Sequence, residues 1–364
     1  MNILFFGTYN TKTTPRVQVM IDGLRAQGQQ VTECNVPLKV PTAARVAMLR
    51  QPWRLPILAY RILECWVRLA FMARKQPRPD AIVVGHLGHF DIHLAKWLFR
   101  RVPRALDYMI SGSETAQDRK ASGGLKTKAI AWLDEEALRA SDIVIVDTEE
   151  HRQALPEHHR QKGVSVLVGA PESWFAVQRQ HRNTPTTPLS IVFFGLYTPL
   201  QGAPIIGQAL SLVQQPMKIT MIGSGQDEVE TKAAAAQSKA VIKWVDWVEA
   251  ADLPATVAAH DVCLGIFGTS DKALNVVPNK VYQGAAVGCA IVTSDTIPQR
   301  RILGDAALFV KPGDAHHLAQ LLDELAKDRT LLSEHQDQAL QLAQAKFRPQ
   351  TVVTPLLQKL RQLQ

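Results

Sequence analysis

Short, almost wholly apolar runs recur along the chain with helical stretches between them. NILFFG (2–7), AIVVG (81–85), DIVIVD (142–147), SIVFFG (190–195), KITMIG (218–223), AVIKWV (240–245), VCLGIF (262–267), AIVT (290–293) and ALFV (307–310) are the clearest. Runs of this kind between helices predict strands of parallel sheets covered on both faces. LPILAYRILECWVRLAFMARK (55–75) is the most apolar helical stretch, but Arg61, Glu64 and Arg68 interrupt it. It falls short of the roughly 18 uninterrupted apolar residues of a spanning helix and reads as amphipathic. HHLAQLLDELAKDRTLLSEHQDQALQLAQAKF, near the end, lacks Gly and Pro and predicts helix.

The pattern repeats once. NILFFGTYNT at the start and SIVFFGLYTP at 190–199 each run through Phe-Phe into a glycine, Gly7 or Gly195, followed two positions on by Tyr9 or Tyr197. A loop and an apolar helix come next in both, VQVMIDGLRAQG and APIIGQALSLV. Two such openings predict two α/β domains. The expected division is 1–172 for the first domain, 173–188 for a polar, proline-bearing linker, 189–345 for the second domain, and a helical segment over 346–364 that could return to the first.

Length and composition agree with that division. The 364 residues suit about two ordinary domains, with 46% hydrophobic and 20% charged residues. Cys34, Cys65, Cys263 and Cys289 are far apart, which argues against a zinc knuckle or disulfide framework and fits a reducing cytoplasm. MNILFFGTYN reads as a first strand rather than a leader. The net charge of +8 is uneven: residues 1–104 hold 16 Lys and Arg against 5 Asp and Glu. That excess suggests an acidic partner, such as anionic lipid or a phosphorylated substrate, with a plain solvated surface as the alternative. No nucleic-acid-binding pattern is present, and nucleic acid is not an expected partner.

Candidate chemistry gathers after the strands, where glycine turns let backbone N–H groups approach a phosphate. In the second half these turns are Gly195 with Tyr197, Gln201 and Gly202, then Gly223 and Gly225, then the helix start Pro278-Asn279-Lys280. Asn279 reads as the cap of that helix. Lys280 in the first turn faces the positive helix end, at a cost of roughly 0.3–1 kcal/mol. A diphosphate docked there would reverse the sign; a lysine pointing into solvent is the alternative.

These stretches resemble the GT-B glycosyltransferases, family 4 in particular. The resemblance rests on FFGLYTPLQG, MIGSGQDE, the W-x-x-x-x-D-L-P-A stretch from Trp247 to Ala255, AAHDVCLGIFG (258–268), PNKVYQGAAVGCAIVTSD and DAALFVKPGD (305–314), with the opening strand and helix of the first half. It implies an α/β fold of two Rossmann-like domains whose parallel sheets face each other across a cleft. It also implies a nucleoside diphosphate-sugar donor, with Lys280 at the diphosphate, Gln283 at the ribose, and Trp247 and Val248 beside the base. Gly268, Thr269 and Ser270 would line the sugar; Gly7, Thr8, Tyr9 and Arg16 would close over the phosphates. No cofactor or metal is required by that fold. Three positions depart from the family: its paired glutamates fall on Asn275 and Gln283, and a common basic residue falls on Gln201. A neutral amide can hydrogen-bond ribose but cannot act as a base.

In the first half, GHLGHFDIHLAKWL (85–98) follows a strand directly. His86 or His89 there could take the acceptor hydroxyl's proton, with Asp91 as a helix cap or an orienting group. Both histidines could equally be structural. Asp91 is also a candidate for binding the acceptor, with Ser111, Glu114 and Arg119 of the following loop. His89 and His93 lie four apart, but without a carboxylate partner or HExxH they do not argue for a metal. Neither a nucleophile elbow nor a phosphate-binding loop of the NTPase type is present.

The expected activity is transfer of a sugar from a nucleotide donor to an acceptor hydroxyl, on a glycan or lipid-linked saccharide, with retention of configuration. Stabilisation of the departing diphosphate by Lys280 would drive it. A binding scaffold without turnover and a nucleotide-sugar epimerase are the alternatives. The basic first half and the 55–75 helix suggest a cytoplasmic protein that contacts an anionic membrane surface; a helix packed in the core or onto the second domain is the competing reading.

Overall fold

The apolar runs of the first half form one parallel sheet. Its strands are β1 (Asn2–Gly7), β2 (Gln30–Asn35), β3 (Ala81–Val84), β4 (Arg104–Asp107), β5 (Ile143–Val146) and β6 (Gly163–Ser165), in the order β2-β1-β3-β4-β5-β6. Successive residues point to opposite faces. Ile3, Phe5, Val83, Ile143 and Ile145 therefore pack with Val17, Met20 and Leu24 of the helix Pro15–Ala26. Leu4, Phe6, Ile82, Val84 and Leu106 pack with Leu69 of the helix Leu55–Ala73 and with Ile92 and Ala95 of the helix Asp91–Leu98.

The computed structural model describes residues 1–11, 14–38, 53, 55–109, 124–177 and 188–364. The chain divides into two units, Met1–Leu167 together with Pro349–Gln364, and Val168–Arg348. In the first unit the C-terminal segment adds Val352, Val353, Leu356, Leu357 and Leu360 to the core beneath the Pro15–Ala26 helix. Gly23 permits this approach, since a Cβ there would lie 2.1 Å from the Pro349 carbonyl oxygen.

The second unit has its own parallel sheet: β7 (Leu189–Phe194), β8 (Met217–Ile222), β9 (Val241–Val245), β10 (Val262–Leu264), β11 (Ala290–Ser294) and β12 (Ala307–Val310), ordered β12-β11-β10-β7-β8-β9. Phe193, Leu264 and Val292 meet Ile206 and Leu210 of the helix Ala203–Leu212 and Leu318 and Leu322 of the helix Ala315–Lys327. Each such side chain contributes roughly 1.5–3 kcal/mol on burial. The helical tail expected near the C-terminus is two helices, broken at Asp328, whose carboxylate accepts from the backbone N–H of Thr330 and Leu331 and so starts the helix Arg329–Lys346.

Three strands escaped the apolar pattern. β2 exposes much of QVTECN at a sheet edge, β4 is only RALD, and β6 is three residues long. In the stretch expected as a linker, Glu172–Phe175 forms a short helix whose buried Trp174 stacks on Phe194 at 5.8 Å; residues 178–187 lie outside the described residues. All four cysteines are buried and none forms a disulfide. No helix among the described residues is long and apolar enough to cross a membrane.

Candidate functional site

Each sheet reverses its direction of winding once, between β1 and β3 and between β7 and β10. Ligands of open α/β sheets bind beyond the strand ends at such points. The two glycines of the repeated opening sit there in matching conformations, Gly7 at φ 137° and Gly195 at φ 142°. What faces them differs in charge. A Cβ on Gly7 would come 2.9 Å from Asp91 Oδ2, and one on Gly195 would come 3.3 Å from Lys280 Nζ.

The second unit brings most of its expected donor residues together. The turns after β7 and β8 stack backbone to backbone, with Gly195 N donating to Ile222 O at 3.0 Å and Tyr197 N to Ser224 O at 3.0 Å. The loop after β10 joins them, as Phe267 N donates to Gln201 O at 3.1 Å. Gly202, at φ 66°, makes that contact sterically feasible, because a Cβ would press within 2.5 Å of Gly268 N. Gly195, Gln201, Gly202, Gly223, Gly225 and Gly268 thus form one continuous backbone surface.

Lys280 enters this surface from the helix Asn279–Ala286. The helix begins one residue earlier than the sequence suggests. Pro278, at φ −75° and ψ 152°, is the cap residue and Asn279 is the first helical residue, with no side-chain capping bond. Lys280 remains in the first turn and is 4% exposed. Its ammonium donates to Gln201 Oε1 and lies 3.7 Å from the centre of the Phe193 ring. Both partners are neutral. Burial therefore lowers its pKa to about 7, a shift larger than the opposing effect of Cys263. Gln283, one turn further and buried, shares that side of the helix.

The remaining second-unit candidates are less convergent. Ser270 caps the helix Asp271–Asn275, its hydroxyl accepting from Ala273 N at 3.3 Å, and Thr269 beside it is exposed. Trp247 is exposed and donates through Nε1 to Glu249 Oε1 at 3.2 Å; Val248 is half-buried. Tyr197 is buried against Phe193, and that burial pushes its phenol up. Asn275 donates its amide to Asp271 O at 2.8 Å.

The first unit departs from expectation. Arg16 is 1% exposed and does not reach outward to a phosphate. Its Nε donates to Asp107 Oδ1 at 2.9 Å and its Nη1 to Val166 O at 2.8 Å, so it ties the ends of β4 and β6 together. The Gly7–Thr8 turn is occupied as well: Asp91 Oδ2 accepts from Thr8 N at 2.7 Å and Thr8 Oγ1 at 2.8 Å, while Oδ1 accepts from Trp66 Nε1 at 2.9 Å. A carboxylate of the chain itself sits where an anion would be expected. Tyr9 is buried beside Glu33, and burial raises its pKa first of all.

His86 is half-buried just past β3, and His89 stands 3.4 Å from Asp134 Oδ1. Burial lowers the His89 pKa, against the pull of Asp134, Asp91 and Asp107. Ser111, Glu114 and Arg119 lie outside the described residues. Two clusters went unread in the sequence. His151 Nδ1 pairs with Asp147 Oδ1 at 2.6 Å beside a cavity of about 250 Å³ that Tyr108 and Asp134 also line. Glu135 Oε1 meets His158 Nε2 at 3.0 Å, His159 Nε2 at 3.2 Å and Arg139 Nε at 2.9 Å, contacts led by His158 that hold its carboxyl down at about 2. Glu135, His158 and His159 have metal-ligand chemistry, but the Arg139 guanidinium occupies the same oxygen. Spacing could not reveal either cluster, because its members join separate helices or a strand end to a helix.

Residues 188–328 match the protein-family model described as "Glycosyl transferases group 1". No curated protein matches the chain by sequence. Among solved structures, sucrose-phosphate synthase from Thermosynechococcus elongatus is similar at a TM-score of 0.73 and 14% identity, covering 100% of this chain and 99% of that one. Anabaena HepE in complex with UDP-glucose gives 0.67 and 14%, with the same coverage. An α,α-trehalose-phosphate synthase (UDP-forming) from Burkholderia vietnamiensis gives 0.67 and 13%, covering 99% of both chains. Likeness at these identities establishes architecture, and the architecture of this chain, two parallel six-stranded α/β units, is GT-B.

Proposed function

We propose that the protein is a glycosyltransferase that uses a nucleoside diphosphate-sugar and delivers a hexosyl group to an acceptor hydroxyl with retention of configuration. A kinship with family 4 is part of this reading. One observation carries it: a lysine buried in the first turn of a helix, among backbone glycines, whose ammonium has only neutral partners among the described residues. An uncompensated buried cation is costly, and a helix N-terminus adds to the cost. A diphosphate offsets both, and its negative charge grows as the glycosidic bond breaks, so Lys280 would stabilise the departing group more than the bound donor. Gln283 would hydrogen-bond the ribose and Trp247 would flank the base. Gly268, Thr269 and Ser270 would face the sugar. The acceptor is proposed to be a glycan or a lipid-linked saccharide bound by the first unit, with His86 or His89 as the group that receives a proton. The family match over 188–328 and the UDP-glucose bound by a structural neighbour make UDP the first nucleotide to test.

Calorimetric titration with UDP, GDP, ADP and dTDP, on the wild type and on Lys280→Ala, tests the reading. Micromolar binding of one nucleotide that the substitution abolishes supports it. Binding indifferent to the substitution removes Lys280 from the donor site. Binding without sugar transfer to any acceptor favours a scaffold without turnover, which Asn275, tied to Asp271 O, and the neutral Gln283 would also suit.

A further inference from the structure

The helix Leu55–Ala73 has two apolar faces, and among the described residues only one is packed. Cys65, Leu69 and Ala73 are buried in the first-unit core, with Leu58, Ile62, Trp66 and Met72 half-buried beside them. On the opposite side Ile57, Tyr60, Leu63, Val67 and Phe71 recur at three- and four-residue steps, each more than half exposed. A helix that is apolar on opposite sides normally lies inside a protein or against a second apolar medium.

The setting of that outer face selects the medium. Arg61 and Arg68 are exposed along one edge, and Arg74 and Lys75 lie at the C-terminal end, with Lys75 Nζ 4.7 Å from the centre of the Phe71 ring. Glu64 is the only carboxylate on the helix. On the adjoining helix Asp91–Leu98, which Trp66 joins through its bond to Asp91, Lys96 and Trp97 are exposed. Aliphatic residues, an exposed tryptophan and an arginine-lysine edge match the layers of an anionic bilayer surface: acyl boundary, interface and phosphates. A second copy of the chain fits less well, since a two-fold contact through this face would bring together two basic edges with only Glu64 on each helix to offset them.

We propose that the outer face of the helix Leu55–Ala73 docks the first unit onto an anionic lipid bilayer, with Ile57, Leu63, Val67 and Phe71 entering the acyl boundary and Arg61 and Arg68 meeting lipid phosphates. This docking does not depend on glycosyl transfer, because it involves no residue of the second unit.

Flotation of the full chain with vesicles tests it, using phosphatidylcholine alone and phosphatidylcholine with about one-third phosphatidylglycerol. The protein is expected to float with the anionic vesicles only. Val67→Glu with Phe71→Glu, and separately Arg61→Glu with Arg68→Glu, should each lower the bound fraction at least roughly tenfold. Because these side chains are exposed, thermal melting should not move, and nucleotide titration should be unchanged. Absence of flotation with anionic vesicles overturns the proposal. So does equal flotation with both vesicle types, or flotation that neither pair of substitutions weakens. Sedimentation velocity supplies the rival outcome: a dimer dissolved by Val67→Glu with Phe71→Glu, without vesicle binding, would make the face a contact between copies.

Discussion

The ammonium of Lys280 is held by the amide oxygen of Gln201, a residue 79 positions earlier in the chain. The pairing joins the helix start after β10 to the turn after β7, and it is a pairing of a cation with a dipole. An amide orients the lysine without neutralising it. A carboxylate in its place would leave little attraction for a phosphate.

Replacing Gln201 by Glu should therefore separate stability from binding. The new carboxylate would pair with a buried ammonium and raise the melting temperature or leave it unchanged, while UDP affinity falls at least roughly tenfold. Differential scanning calorimetry and titration of the same sample read both effects. Tighter nucleotide binding in Gln201→Glu would show that Lys280 does not face the diphosphate.

Lys280→Met should act in the same direction by another route. Removing a buried charge while keeping much of its volume is expected to stabilise the fold by about 1–3 kcal/mol at neutral pH. It should cost donor binding about 2–3 kcal/mol, the scale of a charge-assisted hydrogen bond. Urea unfolding and calorimetry give the two numbers.

The depressed Lys280 pKa has a definite signature in pH. The folded value of about 7 lies below the ordinary value of 10.5, so the unfolded chain binds more protons between them. The penalty is complete below pH 7 and fades as the pH rises toward 10.5, and this group's contribution to stability therefore grows with pH across that window. A bound diphosphate favours the ammonium, so donor binding should take up a proton above pH 7 and weaken by up to about tenfold per pH unit. Titrations in two buffers of different ionisation enthalpy measure the uptake, which should vanish in Lys280→Met.

Arg16 should behave as a structural residue. Arg16→Met leaves Asp107 buried without its charge partner and should destabilise the first unit by about 3–5 kcal/mol. Arg16→Lys should recover little, because one ammonium cannot span Asp107 and the Val166 carbonyl as the planar fork does. Nucleotide affinity of the folded protein should be unaltered in both. A selective loss of affinity with unchanged stability would return Arg16 to the donor site.

The contrast between Arg16 and Lys280 shows what the sequence could convey. Apolar strands such as NILFFG and SIVFFG declare themselves, because a strand buried on both faces must be apolar throughout, and the α/β fold followed from them. β2, at a sheet edge with polar residues outward, gave no such signal. Lys280 was legible as a candidate because helix polarity is a local property, readable from a few residues. Its burial was not, since that depends on Gln201 and Phe193. Arg16 was misplaced for the same reason: the partner that turns it inward, Asp107, is 91 residues away. Asp91 shows the limit most clearly. Its position one residue beyond Phe90 suggested a cap or an acceptor ligand, but its carboxylate closes on Thr8, across 83 residues.

The C-terminal segment that completes the first unit has a consequence for biosynthesis. Val352, Val353, Leu356 and Leu360 fill the space under the Pro15–Ala26 helix, so the unit whose strands emerge first from the ribosome lacks part of its interior until residue 360 has been translated. Val168–Arg348 is contiguous and needs no later residue for its core. Order of synthesis and order of maturation are thus inverted: the second unit can finish while the first still waits with an open apolar groove, the interval in which a nascent chain depends most on chaperones.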